Sequence, residues 1–194
     1  MRTVDEHLTA VLGQLSPLPD LEVTLLDAHG CVLAEDVVAT RSLPRFDNSS
    51  MDGYAVRYAD VAGAREDAPV VLPVIGDIAA GSGGAYAVND GLCARIMTGA
   101  PMPAGADAVV PVESTDGGVA RVRIDIAPKP GANIRRAGED VVAGETVLAA
   151  GAPLGAPQIG LLAALGKARV KVRPKPRVVV FSTGNELVDV GVEP

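Results

Sequence analysis

The chain is predicted to be mainly β with short helices, an α+β class, and three observations point there. Gly and Pro supply 22 and 15 of the 194 residues, with no collagen-like period and no low-complexity run. That punctuation favours many turns and short strands over a helical bundle. Apolar residues make up 48% of the chain, yet there are only three Tyr, two Phe and no Trp, so a core must be assembled from Val, Leu, Ile and Ala. Finally, Tyr54–Val56 opens a section in which the runs 70–75, 92–97, 108–112 and 119–126 are rich in β-branched residues and separated by Gly, Pro, Asn and Asp. Short strands at that density predict a small barrel or sandwich.

The elements follow in order. Thr3 and Glu6 have the spacing of a capping box, in which a hydroxyl and a carboxylate each bond the other residue's backbone N–H. Val4, Leu8, Val11, Leu12 and Leu15 recur at helical spacing, so a helix is predicted there, ended by Pro17 and Pro19. Residues 21–26 read as a short strand and 27–30 as a turn, while 32–40 suit helix and strand equally. In 119–126 the arginines Arg121 and Arg123 alternate with Val122, Ile124 and Ile126, which predicts one wet and one dry face. Residues 132–154 are Gly-punctuated and extended. A short apolar helix is expected over 155–165, ended by Gly166, then a strand over 168–172. Arg177–Phe181 is a continuous apolar run of the kind found in a strand buried on both faces. The loop after it leads to Thr183 and Asn185, either of which suits a helix N-cap. A lone parallel strand cannot bury itself, so the sheet is expected to be completed by another chain or by a longer protein.

Charge narrows the partners. With 17 Lys and Arg against 24 Asp and Glu, the net charge is 17 − 24 = −7. An acidic chain without a basic run repels nucleic acid and anionic lipid, so neither is expected as a partner. Cys31 and Cys93 are isolated thiols with no metal-ligand spacing, which fits a reduced, cytoplasmic setting and core roles. His7 and His29 belong to a helix start and a turn, where surface roles are the default. The start of the chain has no apolar signal core, and no stretch approaches the ~20 residues needed to span a bilayer.

Four segments can carry chemistry. In Arg45–Val56, two carboxylates (Asp47, Asp52), Asn48 and the hydroxyls of Ser49 and Ser50 crowd together before Gly53, a residue able to adopt positive φ. The loop suits a metal ion or an oxyanion, and equally a well-made turn. In Ile96–Val110 a strand runs into a loop where Thr98, Gly99 and Gly105 offer a hydroxyl and backbone N–H groups to an anion, stiffened by Pro101 and Pro103. A rigid connection between strands would use the same residues. In Asn133–Asp140, Arg135 and Arg136 stand beside Glu139 and Asp140. They suit a phosphate, or form a solvated ion-pair cluster. In Ser182–Glu186, Ser182, Thr183 and Gly184 follow the apolar run at 177–181. An anion site at a strand-to-helix turn has this form, with Glu186 able to bind Mg²⁺ beside a substrate phosphate.

In this order the four segments resemble one family, the molybdopterin molybdenumtransferases of molybdenum cofactor synthesis, which include the gephyrin E domain. The resemblance rests on Phe-Asp-Asn-Ser-Ser-Met-Asp-Gly-Tyr-Ala at 46–55, the whole of 96–110, Asn-Ile-Arg-Arg-Ala-Gly-Glu-Asp at 133–140 and Ser-Thr-Gly-Asn-Glu-Leu at 182–187. It implies an elongated discontinuous domain from 1–44 and 139–173 and an inserted β-rich, barrel-like domain at 45–138. It also implies the opening strand and loop of a truncated α/β molybdopterin-binding domain at 174–194. Asn185 stands where the family usually has Asp. The implied reaction inserts molybdenum from molybdate into adenylated molybdopterin with release of AMP, aided by Mg²⁺, in a homodimer whose site lies between domains of different subunits.

By this resemblance Asp52 and Glu186 are metal-binding or site-shaping carboxylates and Thr98 is a substrate-contacting hydroxyl. Ser49, Ser50, Gly53, Gly99, Pro101, Arg135, Arg136, Asp140, Ser182, Thr183 and Gly184 line the substrate site, with Asp140 also a candidate for the hinge between domains. The chain alone is expected to be inactive, as the N-terminal part of a longer enzyme. The rival expectation is a non-catalytic dimerisation or scaffold module that keeps these loops for folding.

Overall fold

The computed structural model describes residues 2–81, 86–184 and 186–192. Its elements are α1 (Val4–Leu12), β1 (Leu21–Thr24), β2 (Val32–Leu33), β3 (Val37–Val38), β4 (Asn48–Ser49), β5 (Gly53–Val56), α2 (Tyr58–Val61), β6 (Val70–Ile78), β7 (Cys93–Ile96), β8 (Ala108–Pro111), a 3₁₀ turn at Val112–Ser114, β9 (Arg121–Ile124), β10 (Ile134–Arg135), β11 (Thr146–Leu148), α3 (Ala156–Ala164) and β12 (Arg169–Arg173). The chain is mainly β with short helices, as its turn-rich composition predicts. It divides into two compact units, Met1–Val37 with Leu148–Pro194, and Val38–Val147.

In the first unit, β12 lies between β1 and β2, antiparallel to both. Its alternation buries Val170 and Val172 and exposes Arg169, Lys171 and Arg173. Leu33, Leu154, Leu162 and Leu165 are buried in the same unit. The α3 helix starts where the Gly155 N–H donates to Gln158 Oε1 at 3.1 Å. It ends at Gly166, whose left-handed φ of 77° lets the Lys167 N–H reach back to the Leu162 carbonyl. The stop at Gly166 is the one the sequence predicts.

The α1 capping box forms as predicted: Thr3 N–H donates to Glu6 Oε2 at 2.8 Å and Glu6 N–H to Thr3 Oγ1 at 3.2 Å. One expectation for this helix fails. It stops at Leu12, with Gly13 as its C-cap, before either proline is reached. Its apolar stripe is also exposed, Val4 by 84% and Leu12 by 56%, so helical periodicity here marks no buried face among the described residues. The ambiguous region 32–40 resolves into the two short strands β2 and β3.

The second unit is built on a five-stranded mixed sheet, in the order β8-β5-β7-β6-β9, curled as a half-barrel. Only the β6–β7 pair is parallel among the described pairs of this sheet. Strand alternation places Tyr54, Val56, Leu72, Val110, Val122 and Ile124 in one core and Ala55, Ile78, Val88, Ile96 and Val109 in another. β5 is therefore covered on both faces, and all four of its residues are buried. β9 shows the predicted wet and dry faces, although Ile126, two residues past its end, is 52% exposed. This compact unit reaches beyond 45–138 at both ends, because Leu43 bridges Val141 and the Ala39 N–H donates to the Glu145 carbonyl.

Residues 177–181 are not a strand. Val178, Val179, Val180 and Phe181 are each at least 72% exposed and take no regular secondary structure. The physical reason is the one that the apolar pattern itself carries: such a strand is stable only between two neighbours, and none is present among the described residues. The N-cap reading fails for Thr183, since no helix follows it among the described residues, and Asn185 lies outside them.

Candidate functional site

Three of the four polar segments converge on β4 in the second unit. β4 pairs antiparallel with β10, setting Ser49 opposite Ile134 and Asn48 opposite Arg135. On its other side Asn48 bridges Pro101, Ser49 N–H donates to the Ala100 carbonyl at 3.0 Å and Gly99 N–H donates to the Ser49 carbonyl at 2.8 Å. Residues 47–50 thus lie between 97–102 and 133–137, although 89 residues separate Asp47 from Arg136. The turn into β10 depends on Asn133, which adopts φ 59° and donates from Nδ2 to the Val109 carbonyl at 2.8 Å. Asn tolerates this left-handed geometry because its short amide bonds locally.

The two carboxylates of the opening motif act as brackets to different segments. Asp52 Oδ1 accepts from the Thr98 N–H at 2.7 Å and from Thr98 Oγ1 at 2.8 Å. The Thr98 backbone N–H, more than its hydroxyl, holds the Asp52 carboxyl below the usual range, with the nearby Arg95 cation adding to the effect. Both side chains remain exposed. Asp47 accepts from the Ala137 N–H on Oδ1 at 2.8 Å and from Arg136 Nη1 on Oδ2 at 2.6 Å. The first of these is the larger cause of its lowered pKa. Arg135 Nη2 in turn donates to Asp140 Oδ2 at 2.5 Å.

This geometry revises several of the sequence expectations. The Thr98 and Gly99 N–H groups are spent on Asp52 and Ser49, so neither is free to receive an anion. Ser49 has no accessible surface, and its hydroxyl donates to the Met51 carbonyl at 2.5 Å. It organises the loop and cannot touch a ligand. Gly53 is also buried, and positive φ is not what it supplies. A Cβ at that position would overlap the Val110 carbonyl of β8, so glycine is required for strand approach. Asp140 pairs within its own unit, and its N–H donates to the Leu43 carbonyl at 2.9 Å.

Ser50, Pro101, Arg135 and Arg136 keep accessible surface near β4, beside Asp52 and Thr98. Ser182, Thr183, Gly184 and Glu186 belong to the first unit, in an exposed segment without regular structure. The Glu186 carboxylate folds against Gly184 there.

Sequence reasoning missed the roles of Asn133 and Arg95. Asn133 carried a usable signal, an Asn after Gly131 at the mouth of a short strand. Arg95 carried none, because it reads as one polar position in an alternating run. Cys93 is fully buried and donates to the Pro73 carbonyl; burial pushes its thiol up to about 12, which fits the core role expected of it.

Among the described residues no three His, Cys, Asp or Glu side chains are placed to hold a metal. Asp52 Oδ1 is occupied by Thr98, which leaves Oδ2 to offer. That fits one ligand of a cation otherwise bound by water and substrate phosphate, and not a site made by the protein alone. No helix of the described residues is long and apolar enough to cross a membrane.

Residues 2–166 match the family described as MoeA N-terminal region (domain I and II). The chain is 51% identical over 191 residues to molybdopterin molybdenumtransferase 2 of Mycobacterium tuberculosis, covering 98% of this chain and 47% of that protein. It is 41% identical over 210 residues to molybdopterin molybdenumtransferase 1 of the same organism, covering 100% of this chain and 49% of the relative. It also superimposes on the crystal structure of the molybdopterin biosynthesis moeA protein from Pyrococcus horikoshii OT3 with a TM-score of 0.79 at 36% identity, over 89% of this chain and 46% of that one. The chain spans about half the length of these relatives. With its mixed curled sheet and its three polar segments gathered on β4, the chain belongs to the MoeA N-terminal family.

Proposed function

We propose that the chain serves molybdenum cofactor biosynthesis, as the N-terminal part of an enzyme that inserts molybdenum from molybdate into adenylated molybdopterin and releases AMP. The observation that carries this reading is the convergence of 46–52, 97–102 and 133–140 on β4 in a chain 51% identical to a protein named for this transfer. A tetrahedral oxyanion and a phosphoanhydride both call for hydroxyl and guanidinium donors, and Ser50, Arg135 and Arg136 supply them beside β4. Asp52 holds Thr98 in place and offers its second oxygen to Mg²⁺, which when bound would polarise the phosphoanhydride. Glu186 and the Ser182–Gly184 turn belong to the pterin-binding part of the enzyme, supplied across a homodimer. The setting is cytoplasmic.

The 194-residue chain by itself is inactive on this reading. Incubation with adenylated molybdopterin, molybdate and Mg²⁺ should release no AMP above background, and sustained turnover would overturn that expectation. A chimera carrying this chain ahead of the remaining half of the M. tuberculosis relative should restore AMP release, and Asp52→Ala in it should abolish most of that activity. One observation favours the rival scaffold reading: Asp52 already spends an oxygen on two bonds to Thr98. If Asp52→Ala lowers the melting temperature and leaves turnover intact, Asp52 is a structural bracket and the catalytic assignment falls.

A further inference from the structure

We propose that Asp47 is a positioning residue, which presents the Arg136 guanidinium to a phosphate-class oxyanion; this rests on the transferase reading above. Asp47 joins all three converging segments. Its carbonyl accepts from the Met102 N–H at 2.9 Å, its Oδ1 from the Ala137 N–H at 2.8 Å and its Oδ2 from Arg136 Nη1 at 2.6 Å. An exposed ion pair alone would contribute little. Here the carboxylate takes donors from two consecutive residues, one of them backbone, so it sets the turn as well as the side chain. The turn is held a second time where the Arg136 N–H donates to Glu139 Oε2 at 2.9 Å.

Exposure shows which end of the pair faces a ligand. The Arg136 side chain is 59% exposed and that of Asp47 38%. The carboxylate is the anchor, and the guanidinium stands outside it. Arginine has five N–H donors in a planar fork, and one bond to Asp47 leaves the others for a second oxyanion. A side chain already held in place loses less conformational freedom on binding. Asp47 reduces the net charge offered to the ligand and supplies orientation in return. Arg135 stands beside it, held to Asp140.

The test is calorimetric titration of the chain with pyrophosphate, alongside thermal melts. The wild type should bind, and Asp47→Asn and Arg136→Gln should each weaken binding about tenfold, the scale of one charge-assisted hydrogen bond. The double variant should bind no more weakly than Arg136→Gln alone, because the two residues act as a unit. Arg136→Lys keeps the charge and loses the fork, so it should lose as much as Arg136→Gln; unchanged affinity in this variant overturns the proposal even if Asp47→Asn does not fold. A lower melting temperature with unchanged affinity in Asp47→Asn shows a merely structural role and also overturns it. Absence of pyrophosphate binding by the wild type overturns it too, while the transferase reading stands or falls on the chimera's AMP release.

Discussion

Tyr54 shows how much one side chain settles in a chain with few aromatics. It is wholly buried, and its hydroxyl donates to the Gly118 carbonyl at 2.9 Å, 64 residues away. Burial pushes its pKa up, so the proton stays on and the bond persists across the ordinary pH range. Tyr54→Phe keeps the ring and orphans the carbonyl. It should cost about 1 kcal/mol, read as a lower denaturant midpoint at unchanged slope. Cys93 makes a contrasting case. With no accessible surface and a thiol pushed up to about 12, it should resist a thiol-specific reagent in the native protein and react only on unfolding. Labelling of Cys93 on the timescale of a free thiol would show that the sheet opens locally.

At the scale of elements, β5 and α1 behave oppositely. β5 lies between β7 and β8 with cores on both faces, and Gly53 allows the approach to β8. Gly53→Ala forces the Val110 backbone to move and should destabilise the second unit by roughly 1–3 kcal/mol, the usual cost of overpacking. The α1 helix has a complete capping box and buries none of its residues. Loss of a cap costs a helix about 1 kcal/mol. Since no packing transmits that loss, Thr3→Ala should raise amide exchange in residues 4–12 and leave the main melting transition unmoved. Both sequence signals for α1, cap and periodicity, are local, and they found the helix. Neither says whether a partner surface exists for its apolar stripe.

For the whole molecule, acid is the revealing variable. Asp47, Asp52 and Asp116 all titrate below the ordinary value in the folded chain, chiefly through backbone N–H groups of Ala137, Thr98 and Arg123. A carboxylate whose folded pKa is depressed stabilises the fold above its unfolded pKa of about 3.9, and that contribution is lost as pH falls through the lower folded value. These three groups should therefore leave the melting temperature flat from neutral pH down to about 5 and lower it progressively below about 4. Asp52→Asn should make the acid limb shallower. Lys171 runs the other way: its hydrogen bond to Glu35 raises its pKa, so its contribution is lost only as pH rises through the alkaline range.

The sequence by itself determined the mainly β class, the capped first helix, the apolar helix closed by Gly166, the strand alternation of β9 and the four polar segments. Each of these is a local pattern, readable from spacing and side-chain type. The tertiary structure decided what those segments do. It brought 46–52, 97–102 and 133–140 together on β4, spent the Thr98 and Gly99 amides internally and buried Ser49. It gave Asp47 and Asp52 separate partners, and it left 177–181 without the neighbours that a buried strand requires. The physical reason is that hydrogen-bond partners and strand neighbours lie far apart along the chain, by 90 residues for Asp47 and Ala137 and by 151 for Leu21 and Val172. Such pairings follow from the closing of the sheet, and local propensity does not contain them.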